Sequence, residues 1–344
     1  MSTDQFLSPR GHADDDRRLT GFPRESPPIV WLARLGAAFV VLQTYVYIRW
    51  ILSDQFVSTP TGANPIPGSQ MAWIRIWEAI CIVGGLVFIG WIIRKTRRER
   101  ALPTLGVVVF AWLLAAWQDP GVNYIRPVFS YTSGFFNRGT WAQFIPGWVN
   151  HAGANPQPIW YWLATYMLFV PLGVLGVDKL LIAIRRVVPR INKAGLIAFM
   201  FVAFSFLDFV VEQLFQRMGL WAYLRVNHDW SLFTGTITQF PIFEGLAFGG
   251  TVSVIGMIIY CFRNEDGYMI TDTGIQTLRN KRSISVTRVL ALTAVFNLTM
   301  LVFNMGFNMV NQHADTTPPV IPSYFSNGMC GLADNPPCLP PTSR

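Results

Sequence analysis

Residues 194–216 read AGLIAFMFVAFSFLDFVVEQLFQ, an apolar run interrupted by two carboxylic acids, Asp208 and Glu212. As a helix it rises about 1.5 Å per residue, enough to cross the roughly 30 Å hydrocarbon core of a bilayer. A charged side chain at that depth costs on the order of 3 kcal/mol unless it is paired or used. This one run therefore sets both the fold and the chemical question. Six others of similar character occur at 32–52, 71–93, 101–117, 159–178, 239–262 and 289–310. The composition agrees: 51% of the 344 residues are hydrophobic, 14% aromatic and only 13% charged, where soluble chains carry about 25% charge. Seven spans with short loops use up the length, so any active site has to be built from the helices and their connections.

The basic residues test the count independently. Arg10, Arg17, Arg18 and Arg24 precede the first run, and Arg94, Lys95, Arg97, Arg98 and Arg100 follow the second. Lys179, Arg185, Arg186, Arg190 and Lys193 follow the fourth, and Arg263, Arg279, Lys281 and Arg282 follow the sixth. The alternate loops hold few: none in 53–70, Arg126 and Arg138 in 118–158, Arg217 and Arg225 in 217–238. Lys and Arg collect on cytoplasmic loops. The pattern predicts an all-α integral membrane protein, a seven-helix transmembrane bundle with a cytoplasmic N-terminus and an outside C-terminus, multi-pass in the cell membrane. Trp31, Trp50, Trp73, Trp91, Trp117, Trp160 and Trp221 fall near the run ends, where such rings prefer the interface. The chain divides into a polar cytoplasmic tail at 1–30, a membrane domain at 31–311 and a Pro-rich extracytoplasmic tail at 312–344. The tail is expected to be loosely ordered, and its Cys330 and Cys338 are candidates for a disulfide. The first run is read as an anchor and not as a cleaved signal, because a polar stretch precedes it.

The net charge of +8 is topological, since the basic residues sit at helix ends without interleaved exposed aromatics; nucleic acid is not an expected partner. There is no Gly-rich phosphate loop, no His-Glu-x-x-His and no Cys-x-x-Cys. Four scattered histidines, His12, His151, His228 and His313, are too few for the multi-histidine iron centres of membrane oxidases. No metal or other cofactor is expected.

What remains is the set of charges set back from the cytoplasmic ends of the runs: Arg49, Arg75, Glu78, Asp208, Glu212 and Glu244, with Asp119 closing the third run. Glu78 lies roughly 10 Å below the outer end of its helix, Asp208 and Glu212 roughly 12 and 6 Å, and Glu244 about 7 Å. All five acids thus belong to the outer half, and the inner half is expected to hold none. Asp208 and Glu212, four apart, share a helix face, as do Arg75 and Glu78, three apart. One polar cavity is expected to hold them all. Two arginines cannot neutralise five acids, so at least one acid is a candidate proton donor. Asn304, Asn308 and Asn311, with Asn297 two turns earlier, form an inward stripe. They read either as interhelical bridges or as groups that orient substrate hydroxyls.

The loop at 118–158 is too apolar for a solvated connector and reads as a lid. It carries Gln118-Asp119-Pro120-Gly121-Val122-Asn123-Tyr124, then Asn137-Arg138-Gly139-Thr140-Trp141, then Ile145-Pro146-Gly147-Trp148. Glu244-Gly245-Leu246-Ala247-Phe248-Gly249-Gly250 opens the sixth run with a close-packing glycine surface. In these four elements the chain resembles the AveC-like spirocyclase family, actinobacterial membrane proteins of the avermectin type. The resemblance covers roughly residues 30–312 and implies polyketide biosynthesis, in which a hydroxy-ketone is closed to a spiroketal, with dehydration in one member. It transfers no catalytic residue and no substrate. The residues themselves fit such a reaction: Asp208, Glu212 and Glu244 as the acid–base pool and Asp119 at the lid. Asn304, Asn308, Asn123, Glu78 and Arg75 would bind an apolar small-molecule substrate, and Trp117, Tyr124 and Trp141 would line its pocket. The alternative is a non-enzymatic membrane protein, either a small-molecule binding or accessory protein or a proton-coupled transporter. A transporter relay needs titratable groups in both halves of the membrane.

The charge partition makes the first prediction. Reporter fusions to the two ends should place the N-terminus inside and the C-terminus outside; finding both on one side would remove the outer-half argument.

Overall fold

Each apolar run is mostly helical, and the connections decide where the helices meet. The computed structural model describes residues 27–150, 156–261, 263–264, 267–278, 281–314, 319–326 and 329. The tail before residue 27, His151 and the Cys330–Cys338 pair lie outside them. The long helices are α1 (Pro28–Ile51), α2 (Gly68–Glu99), α4 (Ile159–Val187), α5 (Lys193–Arg217) and α8 (Lys281–Asn311). Pro28 suits the first turn of α1, where a missing N–H costs nothing, and Asn192 caps α5 by accepting from Gly195 N at 2.7 Å. α1, α2, α5 and α8 are long and apolar enough to cross a membrane by themselves. The chain is a membrane protein on that ground.

Two runs are not straight helices. The third stops as α3 (Thr104–Leu113), bends by 43° and continues as a 3-10 segment, Ala116–Asn123, with Pro120 inside it. The sixth opens with β4 (Phe240–Pro241) and one α-turn, α6 (Ile242–Glu244). It then widens to a π-helix over Gly245–Val252 before α7 (Ser253–Cys261). Short strands complete the chain: β1 (Phe129–Tyr131) pairs antiparallel with β2 (Trp221–Tyr223), and β3 (Ser231–Leu232) pairs with β4.

α8 is the central helix, packed against α1, α3, the 3-10 segment and the π-helix. Gly36 lets α1 ride on α8, since a Cβ there would strike the Leu290 carbonyl. The break in α3 strands backbone groups that neither water nor lipid can satisfy inside a bundle. α8 supplies the partners. Asn297 Nδ2 donates to Leu114 O (3.1 Å), Asn304 Nδ2 to Gln118 O (3.2 Å) and Asn308 Nδ2 to Gly121 O (2.8 Å). Asn308 Oδ1 accepts from Ile125 N (3.1 Å), and Asn297 Oδ1 accepts from Trp117 Nε1 and Gln118 Nε2, each at 2.8 Å. All three asparagines are buried. The stripe therefore faces inward and clamps the broken helix.

The connections gather at two ends. At one, called here the cap, Asn64 and Ser323 exchange backbone and side-chain hydrogen bonds at 2.8 Å, Ser133 N donates to Tyr324 O (2.7 Å) and Leu224 N to Val128 O (2.8 Å). At the other, the base, Ile29 N reaches Thr273 O and Thr104 Oγ1 reaches Gly267 O, both at 3.3 Å. Two expectations are corrected here. The C-terminal tail is not uniformly loose: Ile321, Tyr324, Phe325 and Met329 are buried against Ala222 and Leu224, with α9 (Ser323–Ser326) beside β1, because their apolar side chains complete the cap. The half that includes the base also holds charge, since Arg288 Nη2 pairs with buried Asp272 Oδ2 at 2.9 Å. The final run hid it, because α8 begins at Lys281, well before position 289.

The asparagine clamp carries a prediction. Asn297→Leu leaves Leu114 O and Trp117 Nε1 without their side-chain partner, each buried orphan costing about 1–3 kcal/mol, while Gln118 Nε2 keeps only the backbone carbonyl of residue 297. Thermal unfolding in detergent should show a large loss of stability, whereas Val302→Leu, 71% exposed on the same helix, should melt like the parent.

Candidate active site

α5 ends in a tight turn, and β2 runs back across its final residues. This brings Trp221 and Tyr223 over the acids. Trp221 Nε1 donates to Glu212 Oε2 at 2.8 Å, and Tyr223 Oη to the same oxygen at 3.2 Å. The segment before the π-helix is tied to the same place. Gln213 Nε2 donates to Thr238 O (3.1 Å) and Gln239 Nε2 to Tyr223 O (2.8 Å). The Gln216 amide, turned to donate, reaches Thr238 O and Gln239 O, both at 3.1 Å. Phe240 then packs edge-on against Phe209 of α5 and Tyr223. Anchored this way, the first turn after Pro241 delivers Glu244 to α5.

The result is a cluster of three carboxyls. Asp208, Glu212 and Glu244 lie within electrostatic reach of one another and of Tyr223. Glu244 is 8% exposed and Tyr223 3%. Asp208 Oδ2, Glu244 Oε2 and Ser205 Oγ, three residues before Asp208, are buried without a hydrogen-bond partner. Burial first, then Glu212, Glu244 and Asp208, hold the Tyr223 phenol well above its ordinary range, so it stays neutral and donates to Glu212. Gly249 makes the approach possible. A Cβ there would meet the Asp208 Cβ and, at 2.9 Å, the Phe204 carbonyl. Gly245 and Gly250 face Ser205 of α5 likewise, so the glycine surface read from the sequence is the surface that packs on α5.

The other candidate residues fall elsewhere, and the expectation of one cavity for all the charges is corrected: they have separate sets of partners. Glu78 pairs with Arg75 and accepts from Phe136 N (2.6 Å), while Arg75 Nη2 donates to Gly134 O (2.9 Å), so this pair holds the connection at 134–136. Arg49 is exposed and lies over the Tyr45 ring. Asp119 accepts from Tyr131 Oη at 3.4 Å and lies near Tyr47. Asn123 is a turn staple: its Oδ1 accepts from Val128 N and Phe129 N, and its Nδ2 donates to Phe129 O. Tyr124 Oη donates to Gly147 O (2.7 Å), and Trp141 Nε1 to Trp117 O (2.8 Å). Of the stripe, Asn308 has its amide fully engaged, while Asn304 Oδ1 has no partner.

Tyr223 and Ser205 were not read from the sequence. The only local signal at Tyr223 was the Trp221-Ala222-Tyr223 alternation of a short strand, and nothing in it names the acid that the ring faces. Residues 96–329 match the family model described as Spirocyclase AveC-like. The four motif elements of the loop and sixth run all fall within the match, while α1 and most of α2 precede it. No curated protein and no solved structure matches the chain.

Gly249→Ala should lower the melting temperature, because overpacking against Asp208 and the Phe204 carbonyl costs about 1–3 kcal/mol. Gly256→Ala, with open space at its Cβ, should not. Equal melting of the two variants would mean that the π-helix does not press on Asp208.

Proposed function

The chain belongs to the AveC-like spirocyclase family, and from that premise we propose that it is a membrane-embedded cyclase whose working groups are Asp208, Glu212 and Glu244. The observation that carries this reading is the convergence of three carboxyls under Trp221 and Tyr223, with one oxygen of Asp208 and one of Glu244 buried and unpartnered. Buried acceptors without partners are rare in folded proteins and mark places where another group is expected. A polyketide-like dihydroxy ketone, already closed once to a hemiketal, supplies hydroxyls of the right kind.

The chemistry needs no more than carboxyls. One gives its proton to the hemiketal hydroxyl, the carbon–oxygen bond breaks and water leaves. The resulting oxocarbenium ion is stabilised by a neighbouring carboxylate and captured by the second hydroxyl, whose proton returns to a carboxylate. One water is lost and the protein is regenerated. Glu212 Oε2 is committed to Trp221 and Tyr223 and serves to hold charge. Asp208 and Glu244 have the free oxygens and exchange the protons. Tyr223 is a positioning residue for Glu212. Loss of a proton from the carbon beside the cation, in place of capture, gives the dehydrated product from the same site. Asp119 stands at the start of the lid-like connection after α3, and Asn304 Oδ1, like Asn311 Oδ1, is buried without a partner and free to accept from a substrate hydroxyl. The remaining candidates, Arg75, Glu78, Trp117, Asn123, Tyr124, Trp141 and Asn308, act by fixing the lid.

The same reading includes a seven-span bundle with the cap outside. It is supported by the bent α3 pair as a further span, by the 29 residues of α4 and by the helix that continues from Ile242 to Cys261. The charge partition gives the direction, and the substrate reaches the site from the bilayer or the outer face.

Amide replacement separates catalysis from architecture. Asp208→Asn and Glu244→Gln keep size and polarity but cannot transfer a proton, so turnover of a dihydroxy-ketone substrate should fall by about 10²–10⁴-fold in protein that melts like the parent. Glu212→Gln should lose activity because an amide holds no negative charge, while its carbonyl oxygen can still accept from both Trp221 and Tyr223 and the melt stays near that of the parent. Full turnover in all three stable variants would defeat the mechanism.

A further inference from the structure

A sizeable cavity lies away from the carboxyl cluster, beside α1. It holds about 540 Å³, in the range of small-molecule sites, and is lined by Val40, Gln43 and Tyr47 of α1, Leu114 after α3, Leu163 of α4 and Val289 of α8, among others. Its origin lies in the packing. α1 runs along α8, α3 packs on both α8 and α4, and α1 and α4 share no extended interface. A cleft is left between α1 and α4, with α3 as its floor. Tyr47 also lines a second cavity of about 250 Å³ with Trp50, Phe56, Trp141 and Ile159, toward the cap. The two volumes therefore follow one face of α1.

The lining is apolar with two departures. Gln43 Oε1 is buried there without a hydrogen-bond partner. Tyr47, one turn further, lies near Asp119. Asp119 accepts from Tyr131, which packs edge-on against Trp221, the residue that donates to Glu212. The cleft thus opens sideways along a membrane-spanning helix, asks for a hydrogen-bond donor part-way along, and ends beside an acid next to the aromatic cover of the carboxyl cluster. An ordinary phospholipid tail matches the apolar part but brings no donor to Gln43.

We propose that the cleft between α1 and α4 is a lateral binding site for a hydroxylated amphiphile drawn from the bilayer, its apolar chain along α3 and a hydroxyl donating to Gln43 below Tyr47 and Asp119. The inference rests on the reading above that the substrate is an apolar, hydroxyl-bearing small molecule. It adds the route by which that molecule leaves the membrane.

The test uses the full chain in phosphatidylcholine nanodiscs and two photoreactive probes: a long-chain alcohol carrying a diazirine, and a phosphatidylcholine with the same diazirine on its acyl chain. Labelled positions are mapped by mass spectrometry. The alcohol should label 40–51, 102–114 and 285–290 in preference to the exposed residues Val83, Leu86, Val202 and Phe206, and the phospholipid should not. Val289→Trp, which fills the cleft, should cut this labelling by about ten-fold, equivalent to roughly 1.4 kcal/mol of binding. Gln43→Leu should cut it about five-fold, as expected for one lost hydrogen bond. Leu163→Ala, which widens the cleft, should leave the labelling in place or increase it, so a misfolded tryptophan variant cannot imitate the result. Equal labelling of the cleft and the exposed surface, no response to Val289→Trp in folded protein, or equal labelling by the phospholipid would overturn the proposal. A labelled cleft with fully active Asp208→Asn and Glu244→Gln would defeat the carboxyl mechanism alone, and an unlabelled cleft with inactive amide variants would defeat the cleft alone.

Discussion

Three asparagine side chains of α8 pair with a helix that has been broken in the middle of an apolar bundle. When α3 stops at Leu113 and turns by 43° into a 3-10 segment, it leaves carbonyls and amides that lipid cannot satisfy. Asn297, Asn304 and Asn308, spaced along one face of α8, meet those groups in order. The bend aims the chain across the top of the bundle, and the rest of the cap follows from that direction. Trp117 and Trp141 stack their hydrogen bonds on the same segment, Asn123 closes the turn into β1, and β1 gives β2 an edge to pair with.

The carboxyl cluster depends on that edge. β2 holds Trp221 and Tyr223 over Glu212 only while its register with β1 pairs Tyr131 with Trp221 and Phe129 with Tyr223. The opposite wall is a π-helix, and its wide turn together with Gly249 lets Asp208 sit against backbone. π-turns inside helices are frequent at functional sites because they re-aim side chains that a regular turn would direct elsewhere. Here the re-aimed segment begins at Glu244. The Asn clamp and the Arg75–Glu78 pair hold the scaffold, and the unpartnered oxygens of Asp208 and Glu244 belong to neither.

The cap also explains why a Pro-rich tail contains an ordered piece. Its Ile321, Tyr324 and Phe325 pack on Ala222 and Leu224, on and just after β2, and Ser323 ties the tail to Asn64. Segments from three connections and the tail meet there, so the cap is a composite of loop and tail.

Much of this was legible in the sequence, for local reasons. Hydropathy depends on neighbours in the chain, so 194–216 is helical throughout and the other runs are mostly so, and the four-residue spacing of Asp208 and Glu212 puts them on one face whatever packs beside it. The spacing of Asn297, Asn304 and Asn308 likewise marks an inward stripe. What periodicity cannot contain is the identity of the partner across a bundle. The three-residue spacing of Arg75 and Glu78 marks that pair, but the backbone amide of Phe136 that also holds Glu78, and the unpartnered oxygens of Asp208 and Glu244, follow from no spacing. The break in α3 and the widened turn after Glu244 decided it, because each changes where a backbone runs and therefore which buried groups are within hydrogen-bonding distance. The sequence determined the helices, the inward faces and the pool of acids; only the tertiary structure decided which acids meet, since a buried charge takes its partner from the packing around it.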